Sequence, residues 1–192
     1  MYPINPKEKI MIALIIIVIL VLLVVAYVAM YNGLVKYRNR AQEFSSQIDV
    51  QLKRRTDLIP NLVETVKGYA THEQETLTKV VQSRNQLVAA DSASDKAQAD
   101  NALTGALRQV FALSESYPNL KADTEFQKLM EELSNTENKV SYARQAYNSQ
   151  VQQYDTAIET FPRNIIAGIH HFQNIDFISI PEADKEVPKV KF

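Results

Sequence analysis

The chain has 192 residues, with 21 Lys and Arg against 22 Asp and Glu, so no strong global field draws it to nucleic acid. It has no cysteine, which excludes disulfide frameworks, thiolate zinc sites, iron–sulfur clusters and cysteine nucleophiles together. Four glycines and no tryptophan suit long helices and suit a many-turned β-fold badly.

After a short N-terminal tail, residues 1–9, the chain carries no charge from Ile10 to Tyr31. At about 1.5 Å per residue this run crosses a hydrocarbon core of roughly 30 Å, and residues 10–31 are expected to span the bilayer. A cleaved signal peptide has a shorter apolar stretch and a small-x-small cleavage site, which Ala26-Tyr27-Val28-Ala29-Met30 fits poorly. Lys7 and Lys9 precede the run, whereas Lys36, Arg38 and Arg40 follow it, with Lys53, Arg54 and Arg55 further on. That bias places the C-terminal domain in the cytoplasm and the short N-terminus outside.

About 160 residues remain for one soluble domain. Apolar positions at steps of three and four give Leu34, Ala41, Ile48 and Leu52 in a first segment continuing from the membrane run. Ile59, Val63, Val66, Ala70, Leu77, Val80 and Leu87 form a second, and Leu103, Leu107, Val110 and Tyr117 a third. The fourth is the most regular: Phe126, Met130, Leu133, Val140, Tyr147, Val151, Tyr154, Ile158 and Phe161 hold a seam over about five heptads.

Local signals suggest where these helices end. Asp57 is a candidate N-cap and Pro60 disfavours α geometry at Ile59, predicting a tight reversal between the first two. Ser92 and Asp95 have capping-box spacing ahead of the third, with Asp in place of the usual Glu. Tyr117-Pro118-Asn119 ends the third helix, Asp123 can cap the fourth, and Phe161-Pro162 closes it. The expected fold is all-α: an N-terminal transmembrane helix, an antiparallel up-and-down four-helix bundle over residues 32–162, and an irregular C-terminal extension over 163–192 marked by Pro181 and Pro188.

Several stretches carry a family resemblance. They include Tyr31-Asn32-Gly33-Leu34-Val35, the run from Gln47 to Arg55, Asp57-Leu58-Ile59-Pro60-Asn61-Leu62-Val63 and Tyr69-Ala70-Thr71-His72-Glu73. In the second half Thr136-Glu137-Asn138, Ala143-Arg144, Tyr147-Asn148, Val151, Tyr154 and Phe161-Pro162 continue it. Over nearly its whole length the chain resembles the LemA family. Two departures are Phe44, where the family pattern suggests Trp, and Asp155, where Asn often follows the tyrosine. The resemblance implies a bacterial cytoplasmic (inner) membrane protein with one membrane helix, a short outside N-terminus and a helical bundle inside. It implies no reaction.

The residues themselves suggest no catalytic, cofactor or metal site. His72-Glu73 opens like a zincin helix, but the second ligand would fall on Thr76. The positions three before His72, His170 and His171 are Tyr69, Ala167 and Gly168, which removes the Glu-x-x-His pairs of di-metal bundles. The adjacent His170 and His171 read as a surface pair. No phosphate loop, nucleophile elbow or dinucleotide fingerprint occurs, so no enzyme of ordinary type is expected.

Charges on the seams are the informative oddity: Arg38, Arg55, Glu73, Arg84, Glu137 and Arg144 all fall on strict heptad positions. Either they sit at seam edges with their stems snorkelling outward, or Glu73 and Glu137 meet Arg from neighbouring helices in a buried or half-buried ladder that fixes register. On the second reading, Glu137→Ala should cost about 3–5 kcal/mol. Lys53-Arg54-Arg55 is a poor lipid site, because Arg54 lies about 35 Å beyond Tyr31 along a continuous helix; pairing with Asp49 or Asp57, or a protein partner, fits better. An up-and-down bundle returns the chain to the bilayer, so Ile165, Ile166, Ile169 and Phe172 either touch the membrane interface or a neighbour's membrane helix, or simply cap the core.

The function expected from this reading is a membrane-anchored helical scaffold that self-associates or docks on another envelope protein. The alternative is a lipid-interacting membrane-shaping or envelope-stress protein, and a third reading is a sensor with a pocket between helices.

Overall fold

In the computed structural model, which describes residues 6–179, the chain is all-α, with no strand among the described residues. Pro181 and Pro188 of the expected tail lie outside them. The elements are α1 (Pro6–Tyr69), α2 (Gln74–Ala89), α3 (Ala93–Ser114), the single turn α4 (Pro118–Lys121), α5 (Thr124–Glu159) and α6 (Arg163–Ile169). They form two compact units. One combines the chain through Arg40 with Val151–Ile175, and the other combines Ala41–Gln150 with the segment from Asp176 onward.

The reversal expected at Asp57–Pro60 does not occur. Helix α1 runs unbroken for 64 residues with Pro60 inside it, and the chain turns instead at Ala70–Glu73. Proline removes the N–H that would bond the carbonyl four residues back, which here belongs to Thr56. That carbonyl accepts a hydrogen bond from Arg84 Nε of α2 at 3.4 Å. Breaking the helix would also expose Ile59 and Leu62, which flank Pro60 and are fully buried. Asp57 is consequently a mid-helix residue, accepting from Lys53 one turn earlier at 3.2 Å.

The other expected caps are present. Ser92 Oγ accepts from Asp95 N at 3.0 Å and its hydroxyl donates to the Asp95 carboxylate at 2.6 Å, capping the start of α3. Asp123 Oδ1 accepts from Phe126 N at 2.8 Å at the start of α5. Pro118 takes the first position of α4, where a missing N–H is harmless.

In the larger unit four helical stretches alternate in direction. Asp49 with Lys96 and Arg55 with Asp100 set α1 parallel to α3, whereas Arg108 with Glu137 and Arg144 with Asp100 set α3 antiparallel to α5. At the end holding both turns, Tyr117 donates to Glu73 at 3.1 Å and Tyr69 to Asp123 at 2.9 Å. The Phe126 amide and the Tyr69 hydroxyl hold Asp123 below the usual carboxylate range, and the Asp123 carboxylate pushes Tyr69 up. The stabilisation from Asp123 is therefore present above about pH 4 and lost as pH falls through its lowered value, while that from Tyr69 is present below about pH 10 and lost as pH rises through its raised value. Asp123→Asn should flatten the acid limb of a stability–pH curve and Tyr69→Phe the alkaline limb.

The smaller unit packs Leu34 of α1 against Tyr154, Ala157 and Ile158 of α5 and Ile166 and Ala167 of α6. Its first part, from Ile10, is the one helix among the described residues long and apolar enough to cross a membrane.

Candidate functional site: an ionic cluster and a groove in the larger unit

Two arginines and an aspartate occupy the core of the larger unit. Arg55 of α1, Asp100 of α3 and Arg144 of α5 are exposed by 1%, 3% and 3%. Asp100 bridges the other two: Oδ1 accepts from Arg55 Nη1 at 2.6 Å and Oδ2 from Arg144 Nη2 at 2.9 Å. Arg144 also donates to Asn101 Oδ1 at 3.1 Å and to the Ala97 carbonyl at 3.3 Å. Arg55 Nη2 reaches Glu137 Oε2 at 3.3 Å, and the other oxygen of Glu137 lies 4.0 Å from Arg108. Counting Glu137, the two buried arginines face two carboxylates, so the cluster is formally neutral. Charge-assisted bonds of this geometry are strong pair by pair, but removing the groups from water offsets most of the gain, while loss of one partner leaves an uncompensated buried charge.

Of the six seam charges, the structure therefore brings together Arg55, Arg144 and Glu137, the last with a side chain 42% exposed at the cluster's edge. The other three lie elsewhere. Glu73 meets no arginine but accepts from Tyr117. Arg84 serves the Thr56 carbonyl and Asn85. Arg38 is exposed on the smaller unit, its guanidinium carbon 5.3 Å from the centroid of Phe172. In the basic triplet, Lys53 pairs with Asp57 as expected, Arg54 with Glu132 at 2.7 Å, and Arg55 turns inward; Asp49 pairs with Lys96.

Asp100, the centre of the cluster, escapes a reading that counts the seam of α3 from Leu103. Extended backward the seam runs through Ala97, Asp100, Leu103, Leu107, Val110 and Ser114, all buried. An acid in step with that stripe is the signal the sequence offers.

The four residues expected near the membrane do not share a face. Ile166 is buried and Phe172 packs against the same core, whereas Ile165 and Ile169 are 55% and 59% exposed. His170 and His171 are exposed, and His72 lies in the α1–α2 turn. Among the described residues no three His, Asp or Glu side chains are grouped to hold a metal ion.

The outer surface of the larger unit carries an open groove of about 710 Å³ between α1 and α5. Val50 on one wall and Tyr142 on the other are 63% and 73% exposed. Glu43 lies on the α1 wall and Lys139 on the α5 wall.

Together these features define the class: an all-α protein with one N-terminal helix apolar enough to span a membrane and a helical unit whose core holds a bridged arginine–aspartate–arginine cluster. The sequence model of the LemA family matches residues 44–192. Protein LemA of Metamycoplasma hominis is 30% identical over 164 residues, covering 83% of this chain and 73% of that protein. Magnetosome protein MamQ of Magnetospirillum gryphiswaldense is 24% identical over 173 residues, 77% of this chain and 64% of that protein. Magnetosome protein MamQ 2 of Paramagnetospirillum magneticum is 26% identical over 183 residues, 80% of this chain and 67% of that protein. The chain belongs to the LemA family. None of these names states an enzymatic activity.

Proposed function

We propose that this protein is a membrane-anchored interaction module rather than an enzyme, and that its first partner is a second copy of itself. The reading places the anchor in a bacterial cytoplasmic membrane with the helical domain on the cytoplasmic side, following the Lys and Arg flanks of the apolar run. The groove between α1 and α5 carries the proposal. Two apolar side chains stand exposed across it, and its walls have opposite charge, Glu43 on one and Lys139 on the other. A twofold axis along the groove brings each wall against the opposite wall of the neighbour at the same height, so Val50 of one copy faces Tyr142 of the other in both directions and Tyr142 fills the partner's cleft. A membrane anchor holds every copy in one orientation, which favours such side-by-side pairing. The buried cluster supports a structural role, since both oxygens of Asp100 are already engaged by guanidinium groups and leave it poorly placed to accept a substrate proton.

Mass determination of the full-length protein in mild detergent tests this. A dimer is expected, and Val50→Asp and Tyr142→Asp should each dissociate it. A monomer at all working concentrations overturns self-association. A stoichiometric envelope protein in its place moves the groove's occupant to that partner.

A further inference from the structure

The smaller unit holds an apolar stripe that its own core does not use. Ile165 and Ile169, four residues apart on α6, are 55% and 59% exposed, and Phe161, in the turn that leads into the helix, is 74% exposed. On the other side of α6, Ile166 and Ala167 are buried against Leu34, Tyr154 and Ile158. Helix α6 is thus apolar on two sides, a pattern of helices that meet a second apolar medium rather than water.

The contacts of α6 say which medium. Its first residue, Arg163, lies over the ring of Tyr37, at 5.9 Å from the centroid. Its far end reaches further back along α1: the ring of His170 lies 4.6 Å from that of Tyr31, and its Nε2 is 2.7 Å from the Tyr27 hydroxyl. Tyr27 and Tyr31 belong to the uncharged run that begins at Ile10, and Tyr27 precedes its end by about 6 Å of helix. The chain then turns at His171, whose φ is 54°, and comes back up α1, with Phe172 against Tyr31 and under Arg38. Helix α6 and the segment after it therefore form a hairpin whose tip lies level with the last turns of the apolar run, where tyrosines mark a bilayer's interface.

The charges around the hairpin fit the same place. Lys36, Arg38 and Arg40 follow the apolar run within about three turns and are exposed, and Arg163 stands at the start of α6. Two acids of the same unit lie beside the returning segment, Asp155 accepting from Ile175 N at 3.2 Å and Glu159 from Asn174 at 3.1 Å. Four basic residues against these two acids leave a net positive charge, as suits anionic headgroups.

We propose that the α6 hairpin is a second membrane contact, in which Phe161, Ile165 and Ile169 enter the interface of an anionic leaflet while Arg163 and the basic residues after Tyr31 meet lipid phosphates. The partner is the lipid surface, so the contact is independent of the groove and of self-association.

The absence of cysteine makes the test direct. Single-cysteine variants Phe161→Cys, Ile165→Cys and Ile169→Cys of the full-length protein carry an environment-sensitive fluorophore. They are reconstituted into phosphatidylcholine vesicles containing a minority of phosphatidylglycerol, with or without lipid bearing a nitroxide near the headgroup. Phe111→Cys, 55% exposed on the larger unit and outside the groove, is the reference. Several-fold stronger quenching at the three hairpin positions than at Phe111→Cys supports the contact, as does its weakening in vesicles without phosphatidylglycerol. Quenching no greater than at the reference overturns it. Blue-shifted emission without lipid quenching overturns it too, because protein would then cover the stripe. Quenching equal in neutral and anionic vesicles overturns the role of the basic residues.

Discussion

Asp100→Ala is expected to destabilise the full-length protein in mild detergent by about 3–5 kcal/mol, because it removes the buried carboxylate that bridges two guanidinium groups at the centre of a helical unit. For a unit of this size that is a fall in melting temperature of roughly 15 °C or more. Glu137→Ala, the substitution to which the heptad pattern points, should cost far less, on the order of 1 kcal/mol, since solvent screens its side chain and can replace it. Replacing Arg55, Asp100 and Arg144 together by Met, Leu and Met should be close to neutral or stabilising. The order of the three melting curves is the check: an Asp100→Ala protein that melts with the parent would remove the cluster from any account of how these helices find their register.

The second large effect is expected at Pro60. Replacing an interior helix proline restores one backbone bond and relieves the ring's clash with the preceding turn, so Pro60→Ala should stabilise by about 1–3 kcal/mol. The Thr56 carbonyl left over by Pro60 is met by Arg84, which couples two helices through a backbone defect. Arg84→Met should therefore cost about 1 kcal/mol in the parent and less in the Pro60→Ala background, where the substituted alanine supplies its own N–H to the Thr56 carbonyl. Equal losses in the two backgrounds would show that Arg84 acts through packing alone.

Much of the architecture is legible in residue order because it depends on chain-local physics. A run without charge from Ile10 to Tyr31 must find an apolar medium. The spacing of apolar residues fixes which side of each helix turns inward, and Leu34, Ala41, Ile48, Leu52, Leu77, Val80, Val140, Val151 and Tyr154 are all buried as the seams require. Ser92 and Asp123 cap where their spacing predicts, since a cap involves only residues within one turn.

Where residue order misleads, a distant group decides the outcome. Pro60 signals a break on local grounds, but Arg84, 24 residues later, supplies the donor that lets α1 continue. Phe161 keeps the heptad step of the fourth seam and yet is 74% exposed, because the chain turns into α6 beside it. The seam charges are visible as a set, but periodicity gives a residue's side of the helix and not what stands opposite it. Asp100 is what draws Arg55 and Arg144 inward, while Glu73 finds a tyrosine and Arg38 the face of Phe172. Sequence by itself determined the helical class, the apolar run and the inward faces, all set by contacts within a few turns. Only the tertiary structure decided which charges are buried, which helix survives its proline and which face of α6 is left for another surface, because each depends on groups that packing alone brings within reach.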